Sequence, residues 1–184
     1  MRIRLLPAVV SILLSLRIVS AAGADTEVSV LRTDDAFEVS ARSEVAAAPA
    51  LAWAVLTDYE NFANFVPNLS LSRIVERQPL RIEQRGQFGI LFFRREIRVT
   101  LEVDEHPHTR ILFHAVSGDL RLLDTEVDVE SADTGAVIRY RSRIIPDFWV
   151  PPLIGAPLVR SSMRRKLQAV AVEIERRAAG NMPK

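Results

Sequence analysis

The chain contains no cysteine, which excludes disulfides, thiolate metal sites and a cysteine nucleophile together. Histidine is scarce, at three residues, and no stretch supplies the ~20 consecutive apolar residues that a membrane-spanning helix needs. Neither charge sign is in clear excess, with 24 Lys and Arg against 23 Asp and Glu. Nothing therefore points to nucleic acid, which would call for a basic stripe on the folded domain. No repeat or low-complexity segment is evident, and 184 residues suit one domain with a sizeable core.

What is present begins with an export pattern. Residues 1–24 carry Arg2 and Arg4, an apolar stretch from Leu5 to Leu16, and small residues ending Ala22-Gly23-Ala24, the three parts of a secretory signal. Cleavage is expected before Asp25, giving an exported, periplasmic protein. Arg17 makes the later part of this signal atypical, so retention as an uncleaved membrane anchor is the alternative. Losing Arg2, Arg4 and Arg17 takes the formal net charge from +1 to −2. The expected organisation is a signal over 1–24, one domain over 25–179 and a frayed tail over 180–184.

The domain opens with two alternating runs, Val28 to Leu31 and Phe37 to Ala41, around an acidic turn, which reads as a hairpin. Pro49 suits a first helical turn, so Leu51 to Leu56 forms a short helix carrying Trp53. Thr57-Asp58-Tyr59-Glu60 has capping-box spacing and starts a second short helix with Phe62, Phe65 and Val66, stopped by Pro67. From Leu71 to Ile145 the period changes to two. Ile97, Val99, Leu101 and Val103 alternate with Glu96, Arg98, Thr100 and Glu102, and turns recur at Gln78-Pro79, His106-Pro107-His108, Ser117-Gly118-Asp119 and Asp133-Thr134-Gly135.

A two-residue turn at Thr134-Gly135 would set Glu126 opposite Arg143, Asp128 opposite Arg141 and Glu130 opposite Arg139, a charged ladder on a solvated face. From Pro157 to Ala178 the pattern is helical, with Val159, Met163, Leu167, Val170 and Ile174 on one stripe. That stripe must bury against the inner face of the sheet. The expected fold is α+β: a curved antiparallel sheet of about seven strands around a long C-terminal helix, with two short helices after the first strand.

Three segments together resemble a known group: Trp53 to Glu60 with Pro67 after it, Gly118-Asp119, and Pro146 to Pro152 leading into the last helix. In that order and spacing the chain, from about Glu38 to Arg177, is similar to the START-like, helix-grip superfamily. The nearest branch groups polyketide cyclase/dehydrases with coenzyme Q-binding proteins. It departs from that group at Thr125 and Glu126, where an aromatic residue is common. The resemblance implies a pocket between sheet and helix for a hydrophobic small molecule, lipid- or quinone-like; some relatives are described as cyclases or dehydrases.

Candidate pocket residues are Phe62, Phe65, Phe88, Phe113, Tyr140, Met163 and Leu167, although any of them also suits an ordinary core. Two apolar segments beside basic residues, Gly89 to Phe93 before Arg94-Arg95 and Phe148-Trp149-Val150 between prolines, make Phe92, Phe93, Phe148 and Trp149 candidates for transient membrane contact. No nucleophile with a base and no paired carboxylates stand out, so no catalytic residue is assigned. An enzyme, the less favoured reading, would draw on Tyr140 and Arg121. His106 and His108 flank a proline without a third ligand, His114 reads as a partly buried, hydrogen-bonded histidine, and Asp58, Glu60 and Asp119 read as capping and turn residues. No metal or cofactor is expected. A protein partner docking on the charged sheet has no specific feature to support it.

Overall fold

Strict alternation between residues 97 and 103 is the pattern of a strand with one dry face, and the computed structural model, which describes residues 26–90 and 93–180, places it in the sheet. Val99, Leu101 and Val103 are buried, while Arg98, Thr100 and Glu102 face away. The expected signal and the last four residues lie outside the described residues.

The strands are β1 (Thr26–Thr33), β2 (Ala36–Val45), β3 (Leu69–Arg77), β4 (Leu80–Ile90), β5 (Phe93–His106), β6 (Arg110–Gly118), β7 (Leu120–Ala132) and β8 (Gly135–Pro146). Eight strands form one antiparallel sheet in the order β1-β2-β8-β7-β6-β5-β4-β3. Helices α1 (Pro49–Leu56) and α2 (Phe62–Phe65), separated by a 3-10 turn at Tyr59–Asn61, lie between β2 and β3; α3 (Pro152–Gly180) ends the described chain. The short helices thus follow the β1–β2 hairpin, as expected. Helix α3 touches β1 and β2 at one end of the sheet and β4 near the other, which requires the sheet to curl around it. Among the described residues no helix is long and apolar enough to cross a membrane.

Two clusters make up the core. One joins Trp53, Val55 and Tyr59 to Ile82, Leu101, Ile111 and Ile174; the other joins Val28, Phe37 and Val39 to Val150 and Val159. Ile82, Ile111 and Ile174 are fully enclosed, each contributing roughly 1.5–3 kcal/mol of burial. Tyr140 packs against both clusters.

Several local expectations change. Helix α3 begins at Pro152, not Pro157, because Pro152 takes the first helical position, where a missing N–H costs nothing, and Gly155 N donates to Pro151 O at 2.9 Å. Pro157 sits inside the helix and withholds only the bond to the carbonyl of solvent-facing Leu153. At the other end the helix includes Gly180. Thr57 does not open a capping box. Its hydroxyl donates to Trp53 O at 2.9 Å and closes α1 instead.

The last hairpin is displaced by two residues from the expected register. Its loop is Asp133-Thr134, Ala132 pairs with Gly135, and Glu126 faces Arg141 while Asp128 faces Arg139. Gly135 lies within the sheet, at φ 149, where a Cβ would overlap the end of β2 and lie 2.9 Å from Ala47 N. The glycine is required by close approach, not by the turn. An even displacement keeps Val127, Val129 and Ile138 inside. Arg139 still reaches Glu130 at 2.8 Å and Arg141 reaches Asp128 at 3.0 Å, both diagonally, but Arg143 turns to Glu38 on β2 at 3.4 Å. Exposed pairs of this kind contribute little to stability.

Helix α3 is held at both ends. Arg160 Nε donates to Val28 O at 2.9 Å near the start. Near the end, Arg177 bridges Asp58 at 2.8 Å and Glu173 at 2.7 Å, and Arg176 pairs with Glu173 at 2.6 Å. The hydrogen bond from Arg176, reinforced by Arg177, holds the Glu173 carboxyl down at about 2 from an ordinary 4.5. A carboxyl with a depressed folded pKa stabilises the fold above its unfolded value and ceases to do so as pH falls through the folded one. Thermal midpoints measured from pH 4.5 down to about 2 should therefore fall less steeply for Glu173→Gln than for the parent; parallel curves would contradict this clamp.

Candidate functional site

Because one helix cannot fill the hollow of a curled sheet, a cavity of about 300 Å³ remains between α3 and the strands, at the lower end of the range for small-molecule sites. Its sheet side is built from inward-facing positions of β4 to β8, including Ile97, Leu101, Phe113, Leu123 and Ile138. Its helical side comes from Val159, Met163, Leu167 and Val170 on α3, with Phe62 and Val66 beside them. The alternation of the strands and the stripe of the helix both direct apolar side chains to this space.

Of the candidate pocket residues, Phe62, Phe88, Phe113, Tyr140, Met163 and Leu167 line the cavity. Phe65 does not. Its ring packs edge-on against Phe62, with the Arg177 guanidinium 5.9 Å above it, so it belongs to the clamp on α3.

Polar residues are a minority of the lining: Ser43 on β2 and Gln84, Arg85 and Gln87 on β4 lie on one part of the wall, and Thr125 and Tyr140 on another. Thr125 on β7 and Ser142 on β8 are directly opposite, and their buried hydroxyls are 2.7 Å apart. Tyr140, two residues before Ser142 on the same face, interacts with both hydroxyls; burial nevertheless raises its phenol above the ordinary value. Thr125 presents a small side chain and a hydroxyl to the cavity. On the helix side, Ser162 and Lys166 join the lining. Lys166 retains open surface, as a residue beside a void does, yet burial and then nearby Arg165 lower its ammonium pKa.

Sequence reasoning missed Lys166, Ser162, Thr125 and Ser142. The signal was available: Lys166 lies three residues after Met163 and four before Val170, on the apolar stripe, and Thr125 alternates with Val127 and Val129.

At the end nearest the β4–β5 hairpin, Phe148 lies 6.3 Å from Phe88 by ring centroids and beneath the Arg95 guanidinium at 4.7 Å. Arg95 also contacts Asp119 at 3.3 Å. The Asp119 carboxylate accepts from Arg98 N at 2.8 Å, which lowers its pKa. Asp119 O accepts from Asp147 N at 2.9 Å. The Gly118-Asp119 turn thus anchors the segment that carries Phe148. Beyond it Trp149 is 70% and Leu153 92% exposed. Of the other membrane-contact candidates, Phe92 lies outside the described residues and Phe93 is described as backbone in β5 alone.

The remaining candidates fall elsewhere. Arg121 is exposed, bonded to Asp35 and, at 3.4 Å, to Pro146 O, and is not part of the cavity with Tyr140. His114 is exposed, not half-buried, because its side of β6 faces out, and it contacts Asp124 at 2.8 Å. His108 packs on Trp53 at 5.6 Å and His106 lies 3.6 Å from Asp104. Among the described residues no three His, Asp or Glu side chains are grouped to hold a metal ion. No carboxylate or imidazole lines the cavity among them either, so the arrangement offers a mainly apolar enclosure bordered by hydroxyls, the Gln84 and Gln87 amides, Arg85 and one amine.

Solved structures show the same fold at low identity. An aromatase/cyclase from a Streptomyces species superposes with a TM-score of 0.64 at 18% identity, covering 80% of this chain and 99% of that one. A START superfamily protein from Mycobacterium smegmatis gives 0.62 at 16% identity, covering 79% and 99%. A STAR-related lipid transfer protein from Xanthomonas axonopodis gives 0.65 at 13%, covering 84% and 94%. No curated protein matches in sequence. The family model described as polyketide cyclase / dehydrase and lipid transport matches residues 45–171, a span running from the end of β2 into α3 and enclosing most of the cavity wall. The chain belongs to that family.

Proposed function

We propose that this protein binds one hydrophobic small molecule, lipid- or quinone-like, in the cavity between the sheet and α3, and that it does so as an exported, periplasmic carrier. The observation that carries the reading is the cavity itself, a mainly apolar space between two packed core clusters, with polar groups a minority of its lining. Membership of a family whose description includes lipid transport supports it, as do the STAR-related and START neighbours. Export rests on the pattern of residues 1–24.

The carrier exchanges its ligand at a membrane surface. Exposed Trp149, Leu153 and Ile154 lie beside Phe148, which lines the cavity, and Arg94 and Arg95 are exposed next to the same end. Apolar side chains flanked by cations suit an anionic bilayer. A solvent-exposed tryptophan near the cavity gives the ligand a short route between lipid and protein.

Nile red fluorescence tests the cavity. The parent should bind the dye at one site, and Val170→Trp, which fills the space, should weaken binding by about tenfold or more while the thermal midpoint stays within a few degrees. Equal binding by a folded variant would place the dye elsewhere. Co-sedimentation with anionic phospholipid vesicles tests the surface: the double variant Trp149→Asp, Leu153→Asp should lose vesicle binding and keep Nile red binding. Unchanged co-sedimentation would overturn the membrane contact.

A further inference from the structure

A lysine on the wall of an apolar cavity needs an explanation. Lys166 lies on the face of α3 that carries Val159, Met163 and Val170 into the cavity, at a position where an aliphatic residue would satisfy packing. Among the described residues it has no hydrogen bond and no ion pair. Arg177, for comparison, contacts both Asp58 and Glu173. An unpaired ammonium beside apolar surface is costly, and the cost falls when an opposite charge is brought to it.

None of the described residues provides that charge. The titratable residues lining the cavity are Arg85, Tyr140 and Lys166. Arg85 is turned to Glu83, with an ion pair of 2.6 Å, and the raised phenol of Tyr140 stays neutral at ordinary pH. No carboxylate faces Lys166 from the sheet, and its charged neighbour on the helix is Arg165, of like sign. The apolar walls and the lone amine together describe a complementary molecule with a hydrocarbon body and an acidic end.

We infer that the ligand is an acidic amphiphile, a single-chain molecule ending in a carboxylate or phosphate, whose acid group pairs with Lys166 while its chain occupies the apolar cavity. This rests on the hydrophobic-ligand reading above and specifies its polar end. The Thr125 and Tyr140 hydroxyls, which also border the cavity, supply further donors for the ligand's oxygens. Lysine, with a compact charge on a flexible stem, can follow the acid group over a range of positions.

Isothermal titration calorimetry with dodecanoate, dodecyl phosphate and dodecanol tests this on the full chain. In the parent protein at least one acid should bind about tenfold or more tightly than the alcohol, the scale of one hydrogen bond to a charged group. Which acid prevails distinguishes a carboxylate ligand from a phosphate. In Lys166→Met, which keeps the length of the side chain and removes the charge, the preference should fall to about twofold or less with dodecanol affinity retained. Equal affinity of the parent for both acids and the alcohol overturns the acid assignment and leaves the hydrophobic carrier standing. A preference that survives in Lys166→Met overturns the role of Lys166. Failure of all three ligands, together with Nile red, to bind the parent overturns the carrier reading as well.

Discussion

The structure depends on the mismatch between one helix and a sheet that curls around it. A helix presents a single apolar stripe, whereas the concave face of eight strands offers more surface than that stripe can cover. Residues at the two ends of the contact pack fully: Val28, Phe37 and Val159 at one, Ile82, Ile111 and Ile174 at the other. The middle cannot close, and Tyr140 spans the gap by touching both clusters. The cavity is the geometric remainder of a well-packed core.

Keeping that remainder requires that α3 neither slide nor collapse inward. The polar contacts at its ends do this work in different ways. Arg160 bonds the exposed carbonyl side of β1, while Arg177 couples α3 to the α1–α2 segment through Asp58 and stacks near Phe65. Glu173 is buried and paired twice, so removing one partner would leave a charge poorly compensated. The Gly118-Asp119 turn performs the equivalent task at the opposite side, tying the segment with Phe148 to β5 through Arg98 and Asp147.

Much of this was legible in the sequence because hydrophobic period reports burial directly. The alternation through Val99, Leu101 and Val103 gave the strand and its faces, and the stripe from Val159 to Ile174 gave the helix and what it covers. Local chemistry with two uses was less legible. Thr57 has the right spacing for an N-cap, yet its hydroxyl serves the preceding helix. Gly135 looks like a turn glycine, but a neighbouring backbone from β2 requires it, and the charged ladder shifts by two residues as a result. Polar residues on apolar faces were the hardest to value. Lys166 and Thr125 sit at core-facing positions, and only the cavity explains why packing tolerates them there.

The central claim is that the space between sheet and helix is a binding site rather than a packing defect. Native mass spectrometry of protein purified from its own host, followed by solvent extraction, addresses it most directly. The account predicts a population heavier than the polypeptide by the mass of one organic molecule, recovered in the extract as a single-chain acidic lipid. Protein that is reproducibly bare under gentle purification would contradict it.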